Sequence, residues 1–340
     1  MRYLICLTLL MTLFARCSSP EQHTATATDA PADTLVLALD WSPNVLHAGI
    51  LYADTKGWFD SAGVHLKWYS TEIDNYTKKP ILRVMDGEAD LAIGPTEHIL
   101  HYATDSTSQV SVQAIGTLLQ RDQSVFAVKE STGISRPADL SGQTYVGYHT
   151  PMEEAILSTM IKTDGGAPSF DMIHPPRLDV WDAFLADSGD IVWIFTHWEG
   201  QLAKADGVAL NWFYPSEYGV PYGYSSVVFA PSEPTAQQAA MYPTFWKVAA
   251  KGYRAVQADL PGAATWLCEH IDHPNFEDPT FIEQALADIA PAYFPEQGTF
   301  GYMQEENFSR YLDWMIDVEL LDQAPIPESL YTNTYLNRGE

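Results

Sequence analysis

Short apolar runs alternate with amphipathic stretches along most of this chain. Thr34-Leu-Val-Leu-Ala-Leu-Asp40 is an apolar run of strand length. Ser42-Pro43 follow as a cap residue and first-turn proline, predicting a helix over Asn44 to Ala53 that Lys56-Gly57-Trp-Phe59 ends. Val64-His-Leu-Lys-Trp68 alternates as a second strand. Lys79 to Met85 reads as a short helix closed by Asp86-Gly87. Ala89 to Ile93 reads as a third strand, and Pro95 to His101 as the start of the next helix. This strand–helix spacing predicts βαβ units and a parallel sheet, hence an α/β protein.

The same rhythm restarts at Ser124-Val-Phe-Ala-Val128. A turn-rich segment from Gly133 to Gly142 and a strand from Thr144 to Tyr148 come next. Thr150-Pro-Met-Glu153 is a helix start with cap, first-turn proline and a glutamate three residues on. Further strands are predicted over Asp190 to Phe195 and Gly207 to Phe213. Tyr224 to Ala230 reads as a strand returning the chain to the first half. Pro243 to Glu340 is mostly helical, through Phe245 to Tyr253, Phe281 to Ile289 and Phe308 to Leu321. The expected organisation is two α/β lobes. Residues 34–123 with 224–340 form one and 124–223 the other, joined by two crossings with a cleft between. Ligands of open α/β sheets bind at strand C-termini, where helix N-termini supply N–H donors.

The N-terminus follows a different pattern. Met1-Arg2-Tyr3 precedes an apolar run, Leu4 to Phe14, shorter than the ~20 residues that span a bilayer. Residues 1–17 read as a signal peptide of lipoprotein type, with Cys17 before Ser18-Ser19 as the lipidation site. Arg16 stands where lipoprotein signals favour a small residue. Residues 18–33, rich in Ser, Thr, Ala and Pro, read as a flexible tether. The body is expected outside the cytoplasm, periplasmic or at the cell surface, touching membrane only through a lipid on Cys17.

Composition narrows the function. In 340 residues, Asp and Glu number 44 against 18 Lys and Arg, a net charge of −26. Such a chain does not favour nucleic acid or anionic membrane surfaces. Aromatic residues make up 12%, enough to line a pocket with rings. Three cysteines exclude a disulfide framework; Cys268 reads as a small buried helix residue. Dinucleotide, Walker and nucleophile-elbow motifs are absent. The His98-x-x-His101 pair and the Cys268-x-His270-x-x-His273 cluster fall short of metal-ligand spacing. No metal, no cofactor and no catalysis are expected.

Several segments together resemble one family. Leu39-Asp40-Trp41-Ser42-Pro43-Asn44-x-x-His47-x-Gly49 looks like the opening signature of the thiamine pyrimidine-precursor binding and synthase family. This is a branch of the type II solute-binding proteins. Lys56-Gly57-Trp58-Phe59, Gly63, Gly87 to Ile93, Arg136 to Leu140, Gly147-Tyr148, Trp198-Glu199-Gly200, Tyr218 to Pro221 and Tyr331-Thr-Asn333 also fit. The resemblance runs from about Leu35 to the C-terminus. It implies a two-lobed type II periplasmic-binding-protein fold with two hinge crossings and an interlobe cleft. Bacterial members deliver an aminopyrimidine to an ABC permease and ATPase. Fungal relatives are synthases that consume pyridoxal phosphate and a histidine of their own chain, using iron. Here His98 aligns with that histidine, but Gly94 stands at the synthase lysine and Val220 to Ser226 lacks the synthase cysteines. The resemblance therefore favours a receptor. Receptors of the same fold for flavin, taurine or alkanesulfonate, or nitrate remain alternatives, as does a sensor or adhesion role.

An aminopyrimidine needs rings on its faces and hydrogen-bonding groups at its edge. On the resemblance, Trp41 is the expected stacking face and Asn44 reads the ring edge, with His47 one turn on. Glu199 pairs with the amino edge, beside Trp198. Tyr218 and Tyr222 stack from the second lobe. Glu97 and His98 begin a cleft-facing helix, and Tyr148 and Thr150 begin the helix opposite. Pro151 and Glu153 disfavour phosphorylated ligands.

Overall fold

The computed structural model describes residues 34–103, 111–148, 150–175, 180–222, 224–296, 298–322, 325 and 327–336. The signal peptide, Cys17 and the tether lie outside the described residues. The strands are β1 (Thr34–Ala38), β2 (His65–Tyr69), β3 (Leu91–Gly94), β4 (Val112–Thr117), β5 (Ser124–Lys129), β6 (Thr144–Val146), β7 (Asp171–Ile173), β8 (Ile191–Phe195), β9 (Leu210–Phe213) and β10 (Val227–Pro231). The helices are α1 (Ala48–Thr55), α2 (Trp58–Ser61), α3 (Pro80–Met85), α4 (Thr96–Ala103), α5 (Pro151–Thr163), α6 (Val180–Leu185), α7 (Glu199–Ala205), α8 (Ala236–Ala258), α9 (Leu260–His270), α10 (Pro279–Ile289), α11 (Glu305–Asp317) and α12 (Pro327–Leu330).

Among the described residues the strands form two five-stranded sheets, ordered β2-β1-β3-β10-β4 and β7-β6-β8-β5-β9. In the first, β1 runs parallel to β2 and β3, as the βαβ spacing requires, and β10 lies antiparallel between β3 and β4. In the second, β6 runs parallel to β7 and β8, and β5 lies antiparallel between β8 and β9. The chain crosses between sheets after β4 and again between β9 and β10. Each crossing thus delivers an antiparallel strand to the interior of the sheet it enters.

Two strands, β4 and β7, carry no clear sequence signal. Gln113 and Gly116 interrupt the apolar run of β4, and β7 is only three residues starting with exposed Asp171. Helix α8 begins at Ala236, ahead of the Pro243 start expected from sequence, because Thr235 and Gln238 form a capping box. Helix α11 ends at Asp317, and Glu319 takes a left-handed φ of 61°. Cys268 is half-buried on α9, packed against the larger core.

That core holds the first site-bearing turn in place. Tyr253 Oη donates to the Leu46 carbonyl at 2.6 Å, and Tyr293 Oη to the Val45 carbonyl at 2.9 Å. Helices α1 and α8 approach through glycines. A Cβ at Gly252 would sit 1.9 Å from the Gly49 carbonyl oxygen, and one at Gly49 would strike the Tyr253 ring at 2.2 Å. Gly252→Ala is expected to push the helices apart. Overpacking costs about 1–3 kcal/mol, and alanine's helix preference returns up to ~1 kcal/mol. A net loss of up to about 2–3 kcal/mol should appear as a lower urea midpoint at unchanged m-value.

Candidate functional site

Four parallel strands, two from each sheet, end at the same kind of junction. A helical turn starts after β1, α4 after β3, α5 after β6 and α7 after β8. Strand C-termini and helix N-termini thereby bring Asp40, Trp41, Glu97 and His98 from the first sheet, and Tyr148, Thr150, His197 and Glu199 from the second, to the ends where such sheets bind ligands.

His47 is fully buried, with Nε2 2.8 Å from Asp40 Oδ1. Its Nδ1 lies 3.2 Å from the Asn44 backbone nitrogen, whose N–H must donate, so the imidazole proton sits on Nε2 and points at Asp40. His47 therefore orients the carboxylate. The second oxygen of Asp40 makes no hydrogen bond among the described residues. Two more imidazoles lie in the field of Asp40. Burial lowers His98 to about 4, with the Lys79 charge adding to the drop, and His197 to about 3, with the Asp40 carboxylate pulling each back upward. Both are neutral at ordinary pH, and each keeps a buried Nδ1 with no partner. Buried polar atoms rarely go unpaired, which makes these two imidazoles candidates for a role at the site.

Rings flank this polar group. Trp41 and Tyr76 lie with centroids 4.8 Å apart, tilted by 45°, and Tyr76 Oη is 2.6 Å from Ser42 Oγ. Tyr76 and its neighbour Asn75 both adopt left-handed φ angles, 61° and 58°, ordinary for an asparagine but uncommon for a tyrosine. From the other sheet, Tyr148 is 42% exposed. Burial of its hydroxyl raises its pKa, and the Glu199 and Glu153 charges and then the Tyr76 hydroxyl add to the rise. Glu199 is raised by burial, and its Oε2 accepts the Phe195 N–H at 3.1 Å.

Glu97 accepts a 2.8 Å hydrogen bond from Tyr222 Oη, which ties α4 to the second crossing. Burial, with a smaller push from Asp122, takes Glu97 up to about 7. Asp122, on the first crossing, is raised by burial to about 6 and accepts from Ser124 Oγ at 2.5 Å.

Other expected residues are engaged elsewhere. Asn44, not Ser42, caps the first turn: its Oδ1 accepts the Leu46 N–H at 2.8 Å and its Nδ2 donates to the Ser42 carbonyl at 3.1 Å. The Trp198 ring packs edge-on against Phe281 of α10 at 5.2 Å. Tyr218 sits by Asp164 and Arg136, at the C-terminal end of α5. That end is ~20 Å from Thr150 at the usual helical rise. Thr150 caps α5 in a capping box with Glu153. Glu153 is 2% exposed and accepts from Tyr145 Oη, the Tyr148 and Thr150 backbone N–H groups and Thr150 Oγ1. The donors that could hold a phosphate at this helix start are already taken by the chain's own carboxylate. Sequence reading did not single out Asp40, Tyr76 or His197, which the structure adds as candidates.

Among the described residues, no group of three His, Cys, Asp or Glu side chains could hold a metal ion. No helix among them is long and apolar enough to cross a membrane.

A family model described as NMT1/THI5 like matches residues 44–263. The chain is 25% identical to the formylaminopyrimidine-binding protein of Halalkalibacterium halodurans, across 92% of this chain and 93% of that protein. Its fold matches the periplasmic aliphatic sulphonate binding protein SsuA from Escherichia coli, with a TM-score of 0.65 at 13% identity over 92% of this chain and 96% of that one. The desulfurization enzyme DSZB also matches, with a TM-score of 0.58 at 14% identity over 89% and 97%. At such identities the last two establish the fold alone: two lobes of the periplasmic-binding-protein kind.

Proposed function

This chain belongs to the NMT1/THI5-like family, and from that premise we propose that it is the extracytoplasmic receptor of an ABC importer for a thiamine pyrimidine precursor. The hydroxymethyl- or formylaminomethyl-aminopyrimidine class fits best. One observation carries the reading. The His47-oriented Asp40 carboxylate acts on two neutral imidazoles, His98 and His197, and the Trp41–Tyr76 ring pair begins at the residue next to it, with Tyr148 coupled to Tyr76 from the other sheet. A flat heterocycle with N–H groups on its edge satisfies all of these at once. Asp40 takes the amino or protonated ring-nitrogen edge, Trp41 covers one face, and Glu199 reads the exocyclic group. Closure of the two lobes about the crossings completes the contacts.

The relative that binds formylaminopyrimidine supports this ligand class. Sulfonate and nitrate receptors need several cationic donors, and the candidate cleft residues named above include no arginine, although the Lys79 charge reaches Glu97 and His98. The synthase alternative needs a lysine at Gly94, where even a Cβ would lie 2.9 Å from the Phe229 ring and 3.2 Å from His98 Nδ1. A receptor role implies no catalysis and no cofactor, with partners limited to the ligand and the permease and ATPase. Retention at the membrane would rest on lipidated Cys17. A Cys17→Ala variant released into the soluble fraction supports the anchor; one that stays membrane-bound rejects it.

Titration calorimetry against hydroxymethyl-, aminomethyl- and formylaminomethyl-pyrimidines, thiamine, riboflavin and taurine tests the function. Micromolar or tighter binding of one pyrimidine alone is the expected result; heat only from riboflavin or taurine discards it. Trp41→Ala and Glu199→Gln should each weaken binding by tenfold or more, ~1.4 kcal/mol. Unchanged affinity in both variants rejects this pocket.

A further inference from the structure

A second cavity, of about 500 Å³, opens where the two crossings meet α11. Arg121 and Asp122 of the first crossing, Glu217, Tyr222 and Tyr224 of the second and Asn307 and Arg310 of α11 line its wall. Its volume is in the range of small-molecule sites.

The placement of the arginines is the telling feature. Arginines elsewhere among the described residues are engaged. Arg83 pairs with Asp74 and Glu88, Arg136 with Asp164, and Arg254 lies over the Phe294 ring at 5.4 Å. Arg121 and Arg310 make no ion pair and no side-chain hydrogen bond among the described residues, in a chain with 44 acidic side chains to choose from. Both line this one cavity. Tyr224 adds a buried donor. It is 4% exposed, and its hydroxyl oxygen accepts from the Gln304 N–H at 3.0 Å and Asn307 Nδ2 at 2.8 Å. With the oxygen accepting twice, its own proton has no acceptor among the described residues. The carboxylates of Asp122 and Glu217 on the same wall oppose a diffuse cloud of anions. Binding here must come from directed hydrogen bonds, and a guanidinium fork supplies them in pairs to phosphate or carboxylate oxygens.

We propose that this cavity is a second ligand site, for a small molecule bearing a phosphate or polycarboxylate group, held between Arg121 and Arg310 with the Tyr224 hydroxyl as a third donor. The site shares neither Asp40 nor the ring pair with the cleft reading, although Tyr222, which donates to Glu97, lies on its wall.

Calorimetry of the whole protein with pyrophosphate, citrate and inorganic phosphate at low ionic strength tests it. Submillimolar binding of at least one probe is expected; the pyrophosphate and citrate arms separate a phosphoryl from a carboxylate ligand. Arg121→Gln and Arg310→Gln should each weaken that binding tenfold or more, without lowering the thermal midpoint, because both side chains are exposed and unpaired. Arg121→Lys and Arg310→Lys keep the charge without the fork and should also bind more weakly. No heat from any of the three probes overturns the proposal. So does undiminished binding in the Arg121→Gln/Arg310→Gln double variant.

Discussion

Glu153→Ala is expected to lose about 3–5 kcal/mol of stability, the range for breaking a buried charge-assisted network. The carboxylate accepts four hydrogen bonds of 2.7–2.9 Å from Tyr145, Tyr148 and Thr150. Each buried donor left without an acceptor costs about 1–3 kcal/mol. Water entering at the helix start satisfies some of them, which keeps the total below the simple sum. Glu153→Gln keeps the shape and one acceptor but turns an NH₂ toward other donors, so it should lose about half as much. Urea unfolding of the two variants gives the comparison. An alanine variant within 0.5 kcal/mol of the parent, on the scale of an ordinary surface substitution, would show that the network does not hold this junction.

Asp40→Ala should reduce affinity for the cognate pyrimidine by about 100-fold, ~2.7 kcal/mol. It removes the carboxylate that His47 orients and whose field reaches His98 and His197. Charged hydrogen bonds in such surroundings contribute about 1.5–3 kcal/mol. Asp40→Asn retains an oxygen for the His47 Nε2–H and should fall between alanine and parent. Stability should also fall in Asp40→Ala, by about 1–3 kcal/mol, because the fully buried His47 Nε2–H loses its acceptor, whereas Asp40→Asn keeps that acceptor and should stay close to the parent. Parent-like affinity in Asp40→Ala would remove this carboxylate from the ligand's contacts.

What could be read from the sequence follows from the range of each interaction. Thr150-Pro-Met-Glu153 announces α5 because its capping box closes within four residues. The βαβ rhythm announces the parallel strands for the same reason. Ser42-Pro43 imitates a helix start, but Ser42 is taken by Tyr76 and the cap passes to Asn44. That exchange depends on a residue far along the chain, in a polar turn with no apolar period. Asp40 and His197 meet only because two sheets face each other, so no local pattern joins them. Tyr218 shows the converse. The Tyr-Gly-Val-Pro-Tyr run holds two tyrosines, and only Tyr222 reaches α4 and Glu97; Tyr218 is carried to the other end of α5.

The interleaved sheet order also bears on how the chain is made. Strand β4 finds its partner in β10, with Thr117 opposite Val227, so the whole second sheet is synthesised between them. Until residue 231 emerges, β3 and β4 present bare edges to their surroundings, a condition that invites pairing with other chains. Strand β5, in contrast, needs only β8 and β9 and can close its sheet earlier. A nascent chain should therefore fold from the middle outward, and the half that begins first finishes last. Holding the chain unfolded until its length is complete, as export before folding does, removes that exposure.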